Sequence, residues 1–159
     1  MIDVGSAPPL ELGDAFHRVM EMVSLPEGED LEQIAAAICA EAGIAGATNG
    51  VVEMARLCLA SELLRGRYEQ SIVHREVPFV TAHDGRVLIG RIDLLIRSNE
   101  DVIVVDYKTD SVEADREAGA AESHRGQTDA YRHAVSEATN AEGSARVLFA
   151  RTGVVADVS

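Results

Sequence analysis

Two charged residues end the apolar, strand-like segment VVDYKTDS, which covers residues 104–111. Asp106 and Lys108 are two positions apart, so in a β-strand their side chains point to the same face. A third charge, Asp93, lies inside the apolar run GRIDLLI, residues 90–96. Carboxylates in such a setting can bind a divalent metal, and a neighbouring lysine can activate water or stabilise charge on a phosphate. These residue types point to chemistry on a phosphate group beside a metal ion.

The turn SNED, residues 98–101, predicts how the strands carrying these charges are aligned. In a hairpin that is symmetric about Asn99 and Glu100, Asp93 lies directly opposite Asp106. Directly opposed residues have Cβ atoms about 4.5–5.5 Å apart, and like charges at that distance destabilise a sheet. The sequence therefore predicts two carboxylates and one lysine crowded together at the end of two otherwise apolar strands.

A surface salt bridge at a strand end is the alternative interpretation of Asp106 and Lys108, and it suits most Asp-x-Lys sequences taken alone. It does not account for Asp93, because a second carboxylate in an apolar run is costly unless something neutralises it. A divalent cation is the natural counter-charge. Carboxylate oxygens favour Mg²⁺, Mn²⁺ or Ca²⁺ over Zn²⁺, and Mg²⁺ typically combines one or two carboxylates with substrate phosphate.

Helices are expected before these strands. Apolar residues at three- and four-residue steps predict helices from Leu10 onward, over residues 29–42 and over residues 50–66. Gly43 and Gly66 are plausible stops, and GIAGATNG is expected to be a loop. The helical third of the chain would form one layer beside the strands.

The middle of the chain predicts two hairpins in series, and therefore an antiparallel three-stranded meander. The three strands are SIVHREVPFVTA, RVLIGRIDLLIRS and DVIVVDYK, joined by the turns HDGR and SNED. The second and third strands are apolar on both faces and are expected to be covered on both sides. A helix from about Ser123, a strand at SARVLFARTG and a short one at VVADV follow. The order αααβββαβ predicts an α/β sandwich built on a central mixed sheet.

Length and composition limit the classes of protein to which the chain can belong. A chain of 159 residues predicts one domain over residues 10–159, after a linker-like segment at residues 1–9. The net charge of −13 argues against a surface that grips nucleic acid unaided, although metal ions or another domain could supply positive charge. Cys39 and Cys58 lack metal-site spacing and predict buried thiols in a reducing, cytoplasmic compartment. No apolar run is long enough to span a membrane.

Four motifs, in order, resemble the PD-(D/E)XK nuclease superfamily. They are LGDAFH, IGRID, DYKTD and GQTDAY, and they fall between residue 11 and about residue 151. More narrowly, the set is similar to the C-terminal nuclease domain of RecB- and AddA-type helicase–nucleases and related UvrD-like helicases. Each motif is weak alone, whereas the ordered set is specific. The resemblance implies a restriction-endonuclease-like α/β sandwich.

The resemblance also implies roles for individual residues. The metal ligands would be His17, Asp93, Asp106 and the backbone carbonyl of Tyr107, with Mg²⁺ or Mn²⁺ as the ion. Lys108 would be the catalytic lysine. The family's Q-x-x-x-Y motif matches Gln127 and Tyr131, which would contact substrate or order the lysine. Glu76 matches a commonly acidic position on the first strand and is a secondary candidate, with a solvated or salt-bridged strand residue as its alternative.

Three functions are compatible with these motifs. The first is a metal-dependent, exonuclease-type deoxyribonuclease module of a helicase–nuclease in DNA double-strand-break repair and recombination. Its partners would be DNA and helicase motor domains in the same chain or complex, since no P-loop is present in this sequence. The second is a non-catalytic module that keeps the fold to bind DNA or brace a helicase. The third is a free-standing small nuclease.

Overall fold

The computed structural model describes residues 1–65, 71–83, 85–98, 101–112, 116–139 and 143–158. The turn positions Asp84, Asn99 and Glu100 and the expected helix stop at Gly66 lie outside these residues. In chain order, the helices are α1 (Pro9–Met22), α2 (Leu31–Glu41), a 3₁₀ turn (Ala45–Ala47), α3 (Thr48–Leu59), α4 (Glu62–Arg65), α5 (Glu117–Glu122) and α6 (Arg125–Thr139). The strands are β1 (Ile72–His83), β2 (Arg86–Arg97), β3 (Val102–Lys108), β4 (Gly143–Phe149) and β5 (Val155–Asp157).

One mixed sheet, in the order β1-β2-β3-β4-β5, forms the centre of the protein. The first three strands are the predicted antiparallel meander. β4 lies parallel to β3, and β5 returns antiparallel to β4. A parallel neighbour requires a crossover, which α5 and α6 supply. The α/β sandwich on a mixed sheet is confirmed.

Helices cover the two faces of the sheet unequally. The larger apolar cluster joins α1, α2 and α3 to one face, where Leu94, Ile96, Ile103 and Val105 point towards the helices. On the other face, a smaller cluster joins α6 to the sheet; its buried members are Ile92, Leu95, Val102, Val104, Tyr131 and Val135. Cys39 and Cys58 are buried free thiols, as the sequence predicts. Within the described ranges, no helix has the length and apolar character needed to cross a bilayer.

The N-terminal segment and α3 meet at Gly50. A Cβ at this position would lie 2.3 Å from the backbone oxygen of Asp3, so a side chain would collide with the backbone. Gly50 is an internal residue of α3, because the helix begins at Thr48 and not after the loop predicted for residues 43–50. Ile2, in the segment expected to be linker-like, is buried in the large apolar cluster.

Alternation along β1 and β2 is interrupted where Glu76 faces Asp93. Pairing runs from Ile72–Arg97 to Arg75–Leu94 and resumes at Val77–Ile92, without a pair at Glu76. Before the break, Val73 packs on the α1 side of the sheet; after it, Val77 and Phe79 pack on the α6 side. Glu76 has a φ of 51°, a left-handed conformation that non-glycine residues rarely adopt. At Glu76, therefore, the side of the hairpin towards which the odd-numbered residues of β1 point changes from the α1 side to the α6 side.

This change of side leaves one face of the β1–β2 hairpin outside both helical layers. Val80, Val87 and Ile89 are exposed there, with Ile89 at 79%. The expectation that both faces of the second strand are covered is therefore wrong for its first half. It holds beyond Asp93, where Leu94, Leu95 and Ile96 are buried. Strand apolarity alone does not show how far a helical layer extends.

Arg75 holds the end of α1 against β1. Its Nη1 donates hydrogen bonds to the carbonyl oxygens of Glu21 at 2.7 Å and Val23 at 2.6 Å. Carbonyls at a helix C-terminus have no partners within the helix, and a cation there also complements the helix dipole. Arg75 therefore ties the C-terminal end of α1 to β1.

We expect Arg75→Met to lower the free energy of unfolding by about 2 kcal/mol, since hydrogen bonds from a charged donor contribute about 1.5–3 kcal/mol. The measurement is urea unfolding. Arg18→Met is the matched control, because Arg18 pairs with Glu41 on the exposed surface. Exposed pairs contribute at most about 1 kcal/mol. Equal losses from the two variants would show that Arg75 does not anchor α1.

Candidate metal centre and catalytic lysine

The predicted register between β2 and β3 is the one observed. Leu94 pairs with Val105 and Arg97 pairs with Val102. The observed pairs end at Leu94 and Val105, and Asp93 and Asp106 are the next residues along the two strands. Asp93 Oδ2 accepts a hydrogen bond of 2.7 Å from the backbone N–H of Tyr107, the residue after Asp106. The two carboxylates are close enough for the charge of Asp93 to raise the pKa of Asp106.

His17 reaches this point from α1. Its Nδ1 lies 3.1 Å from Asp93 Oδ1. α1 buries a stripe that includes Phe16, so the helix face that carries this stripe is pressed on the sheet. The His17 ring makes an edge-to-face contact with Tyr107, with ring centroids 6.0 Å apart. Tyr107 thus steadies the imidazole with its ring while its N–H orients the carboxylate.

Glu76 completes a three-residue group with His17 and Asp93. One possible ligand atom from each of the three lies within 4.8 Å of the other two. The left-handed backbone at Glu76 turns its side chain to the same side as Asp93, where α1 lies. Imidazole nitrogen together with carboxylate oxygens can hold a divalent transition metal or Mg²⁺. The arrangement therefore has the donor set of a candidate divalent-metal group.

The electrostatics of the group show that its negative charges repel one another. Burial raises the pKa of Asp106, and the charge of Asp93 raises it further, while Lys108 opposes the shift. Burial likewise raises the pKa of Glu76, with Asp93 adding to the effect. Burial acts to lower the pKa of His17, but its hydrogen bond to Asp93 and the surrounding carboxylates outweigh burial and raise it. A cation among these carboxylates would relieve the repulsion.

Asp106 and Lys108 form the second half of the site. Lys108 Nζ lies 2.8 Å from Asp106 Oδ2, in a carboxylate that is almost wholly buried. The approach is an ion pair outside good hydrogen-bond geometry, and Asp106 Oδ2 has no hydrogen-bond partner among the described residues. The charge of this buried oxygen is balanced by the lysine, and its unused hydrogen-bonding capacity could be taken up by a metal ion. The residues present therefore fit a divalent cation.

Gln127 and Tyr131 lie behind the lysine, one turn apart on α6. Lys108 Nζ donates to Gln127 Oε1 at 3.4 Å, and Gln127 Nε2 donates to the Tyr131 hydroxyl oxygen. Burial raises the pKa of Tyr131 to about 12, so its hydroxyl stays protonated near neutral pH. These contacts connect the lysine to α6. Contact of Gln127 or Tyr131 with a substrate stays a prediction.

The structure thus brings together the residues that the sequence singled out, with a change of emphasis. His17 and Asp93 meet Glu76, the secondary candidate, and Glu76 is also 3.6 Å from Arg91 in an ion pair. Ligand roles for Asp106 and the Tyr107 carbonyl stay predictions. The turn HDGR could have pointed to Glu76. It predicts that His83 pairs with Arg86, and continuing this register along the hairpin brings Glu76 opposite Asp93.

We expect Glu76→Gly to make the metal-free protein more stable, by about 1 kcal/mol, because glycine adopts a left-handed backbone without the Cβ clash. The same variant should bind divalent metal more weakly. Glu76→Ala is the control, since it removes the carboxylate but keeps the strained Cβ. Chemical unfolding with and without metal measures both effects. A glycine variant no more stable than the alanine variant would contradict strain at this position.

The chain is similar to several known proteins. A 121-residue stretch is 31% identical to a subunit of the ATP-dependent helicase/nuclease of Listeria monocytogenes serotype 4b (strain F2365), matching 65% of this chain and 10% of the relative. The corresponding subunit of Limosilactobacillus reuteri subsp. reuteri (strain JCM 1112) is 27% identical over 154 residues, 79% of this chain and 11% of the relative.

The chain thus spans about a tenth of the length of these curated relatives. Among solved structures, protein VC1899 from Vibrio cholerae aligns with 90% of this chain and 42% of its own, at 11% identity and a TM-score of 0.38. The family model described as the PD-(D/E)XK nuclease superfamily matches residues 3–156, nearly the whole chain. The chain belongs to the PD-(D/E)XK nuclease superfamily.

Proposed function

We propose that this chain is a divalent-metal-dependent DNA nuclease module that uses Mg²⁺ or Mn²⁺ to hydrolyse phosphodiester bonds. The single observation that supports it most is the juxtaposition of His17, Glu76 and Asp93 with the Asp106–Lys108 pair at one end of the sheet. A salt bridge alone would not need the three-residue group beside it. A metal-binding structural site would not need a lysine within reach of the carboxylates.

The metal would be held by His17, Glu76, Asp93 and Asp106, with the Tyr107 carbonyl as a further ligand. When bound, a divalent cation supplies positive charge that polarises a scissile phosphate and lowers the pKa of water. The chain's own residues do the rest. Tyr107 orients Asp93 through its backbone N–H and steadies His17 through its ring.

Lys108 would act on the attacking water or on the charge that develops on the phosphate. Its ammonium group is held between Asp106 and Gln127, so its position is set from both sides. Gln127 accepts from the lysine and donates to Tyr131, which connects the group to α6. A lysine fixed in this way loses little conformational entropy when substrate arrives.

The relatives extend the proposal to a larger assembly. They are named as subunits of an ATP-dependent helicase/nuclease, and this chain matches about a tenth of their length. We propose that the chain serves as the nuclease module of a helicase–nuclease with a role in DNA double-strand-break repair and recombination, acting as an exonuclease in the cytoplasm. Motor domains would deliver the DNA strand, which suits a chain with a net charge of −13.

A metal exchange experiment tests the function. With Mg²⁺ or Mn²⁺, the protein should cleave single- or double-stranded DNA; with Ca²⁺, it should bind metal without cleaving. The readouts are thermal unfolding for binding and a labelled DNA substrate for cleavage. Cleavage that proceeds unchanged in the presence of a chelator would refute the metal-dependent mechanism. Failure of every divalent metal to raise the unfolding temperature would refute the metal site itself.

A non-catalytic module that binds DNA or braces a helicase is the second candidate function. The acidic composition disfavours a catalytic surface that grips DNA by itself, and the exposed apolar face at Val80, Val87 and Ile89 favours a module that braces a helicase. This candidate does not explain the neighbouring carboxylates, because like charges side by side destabilise the fold and a non-catalytic module would gain nothing from them. It predicts that divalent metal neither stabilises the protein nor supports cleavage, so the same metal titration separates it from the nuclease.

A further inference from the structure

We propose that Phe79 is a positioning residue for Lys108, acting through Tyr131 and Gln127. The inference rests on the proposed function only in giving the lysine a catalytic role. The contacts themselves can be tested without activity. Phe79 lies outside all four motifs that the sequence singles out, and it is on β1, whereas the residues that touch the lysine are on β3 and α6.

Phe79 and Gly90 face each other across the β1–β2 hairpin. A Cβ at Gly90 would lie 2.7 Å from Phe79 Cε1 and 2.8 Å from Cζ, so the phenyl ring lies across the bare backbone of β2. The backbone of Gly90 is not left-handed, and space is therefore what the glycine provides. The glycine of the IGRID motif therefore leaves room for the aromatic ring of Phe79.

The same ring supports Tyr131. Their centroids are 5.1 Å apart with an interplanar angle of 75°, an edge-to-face contact of the kind that aromatic pairs favour. Tyr131 accepts a hydrogen bond from Gln127, and Gln127 accepts one from Lys108. An unbroken series of contacts therefore leads from the backbone of β2 through Phe79, Tyr131 and Gln127 to the lysine ammonium.

The β1–β2 hairpin carries both the Phe79–Gly90 pair, which supports Lys108 through Tyr131 and Gln127, and two residues of the metal group. Glu76 lies three residues before Phe79 in β1, and Asp93 lies three residues after Gly90 in β2. Glu76 and Asp93 face α1, whereas Phe79 faces α6. The same two strands thus hold the metal group on one face and the lysine's support on the other, so a displacement of the hairpin would alter both together.

A control variant is needed to separate a positioning role of Phe79 from a purely structural role in the smaller apolar cluster. Phe79 is half-buried and lies at the edge of the smaller apolar cluster, whereas Val102 is fully buried in the same cluster. Val102 begins β3, at the opposite end of the strand from Lys108. Val102→Ala is therefore a matched control that weakens the same cluster without touching the series of contacts to the lysine.

Lys108 is the chain's one lysine, which makes its environment directly observable. In protein labelled with ¹³C at the lysine Cε, NMR gives one lysine resonance. We expect Phe79→Leu and Gly90→Ala to move it, the first by removing the ring and the second by displacing it. Val102→Ala should leave it in place, and Gln127→Ala should move it as the direct reference. The comparison needs only folded protein and no activity.

Cleavage provides the second measurement. Phe79→Leu should lower kcat roughly tenfold, as expected for a misplaced catalytic group, while the metal concentration for half-maximal activity stays unchanged. In a Gln127→Ala background, Phe79→Leu should have little further effect, because both changes break the same series of contacts. A residue that merely fills the core would lower stability additively in both backgrounds.

Each result decides the inference. A lysine resonance that moves in Gln127→Ala but stays in place in Phe79→Leu and Gly90→Ala overturns it, and so does one that stays in place in all three. A resonance that moves equally in Val102→Ala shows a general loosening of the cluster and also overturns it. If the wild-type protein does not cleave DNA with any metal, the proposed nuclease function fails, while the resonances still decide whether Phe79 positions Lys108.

Discussion

Lys108→Met is expected to slow DNA cleavage by orders of magnitude and to leave metal binding intact. Positioned proton-transfer groups contribute roughly 10²–10⁴-fold to a rate, so a loss of about a thousandfold is expected. Methionine keeps the length and apolar stem of lysine but cannot donate to Gln127 or pair with Asp106. Because a cation next to the metal group is removed, the affinity for divalent metal should not fall. Single-turnover cleavage and a thermal-shift metal titration measure the two effects.

Arg97→Met is the control for a general loss of positive charge. Arg97 is an exposed cation at the far end of β2, away from the metal group. This variant should cleave DNA at close to the wild-type rate. If Lys108→Met cleaves as fast as the wild type, the lysine has no catalytic role. If it loses metal binding together with cleavage, Lys108 supports the metal group and is not a separate catalytic residue.

Asp93→Asn is expected to remove metal-dependent stabilisation without weakening the metal-free fold. Asparagine can still accept the hydrogen bond from Tyr107, and it removes the charge that repels Glu76 and Asp106. The metal-free variant should therefore unfold at the same temperature as the wild type or higher. In the wild type, metal at about one hundred times Kd should add about 2.7 kcal/mol, or roughly 5–10 °C for a chain of this size.

Asp129→Asn is the matched control, since Asp129 pairs with Arg132 on α6, away from the group. It should keep the full metal response. A metal-dependent rise in Asp93→Asn equal to that of the wild type would mean that the cation binds elsewhere. A metal-free Asp93→Asn protein that unfolds well below the wild type would mean that the pair with His17 stabilises the fold more than the carboxylate repulsion destabilises it.

Much of the site could be predicted because its main constraint is local. The pairing of β2 with β3 has the register that the turn sequence predicts, and it leads to Asp93 and Asp106 as the next residues along the two strands. The two-residue period of a strand then puts Lys108 beside Asp106. Both inferences need only the chain between residues 93 and 108. The order of helices and strands was predictable for the same reason, since each element shows its own apolar period.

The less predictable features depend on contacts between distant parts of the chain. Glu76 resembles an ordinary strand residue in the sequence, and nothing in the sequence around it indicates its left-handed backbone. The exposed face at Val80 and Ile89 has the composition of a core strand, because an apolar strand does not reveal where its covering helix ends. Phe79 carries no polar group, so its connection with Lys108 becomes visible only when β1 and α6 are packed together.

The left-handed backbone at Glu76 has a consequence for how this domain can change over generations. A single nucleotide substitution converts a glutamate codon into a glycine codon. At most positions in a strand, glycine weakens the fold, and such a change is selected against twice, for stability and for function. At position 76, the two pressures oppose each other, because glycine relieves the backbone while deleting a carboxylate. If Glu76 holds a metal ion as proposed, selection for that role retains glutamate here, and a copy of the gene without that selection would drift towards a more stable protein that binds metal weakly.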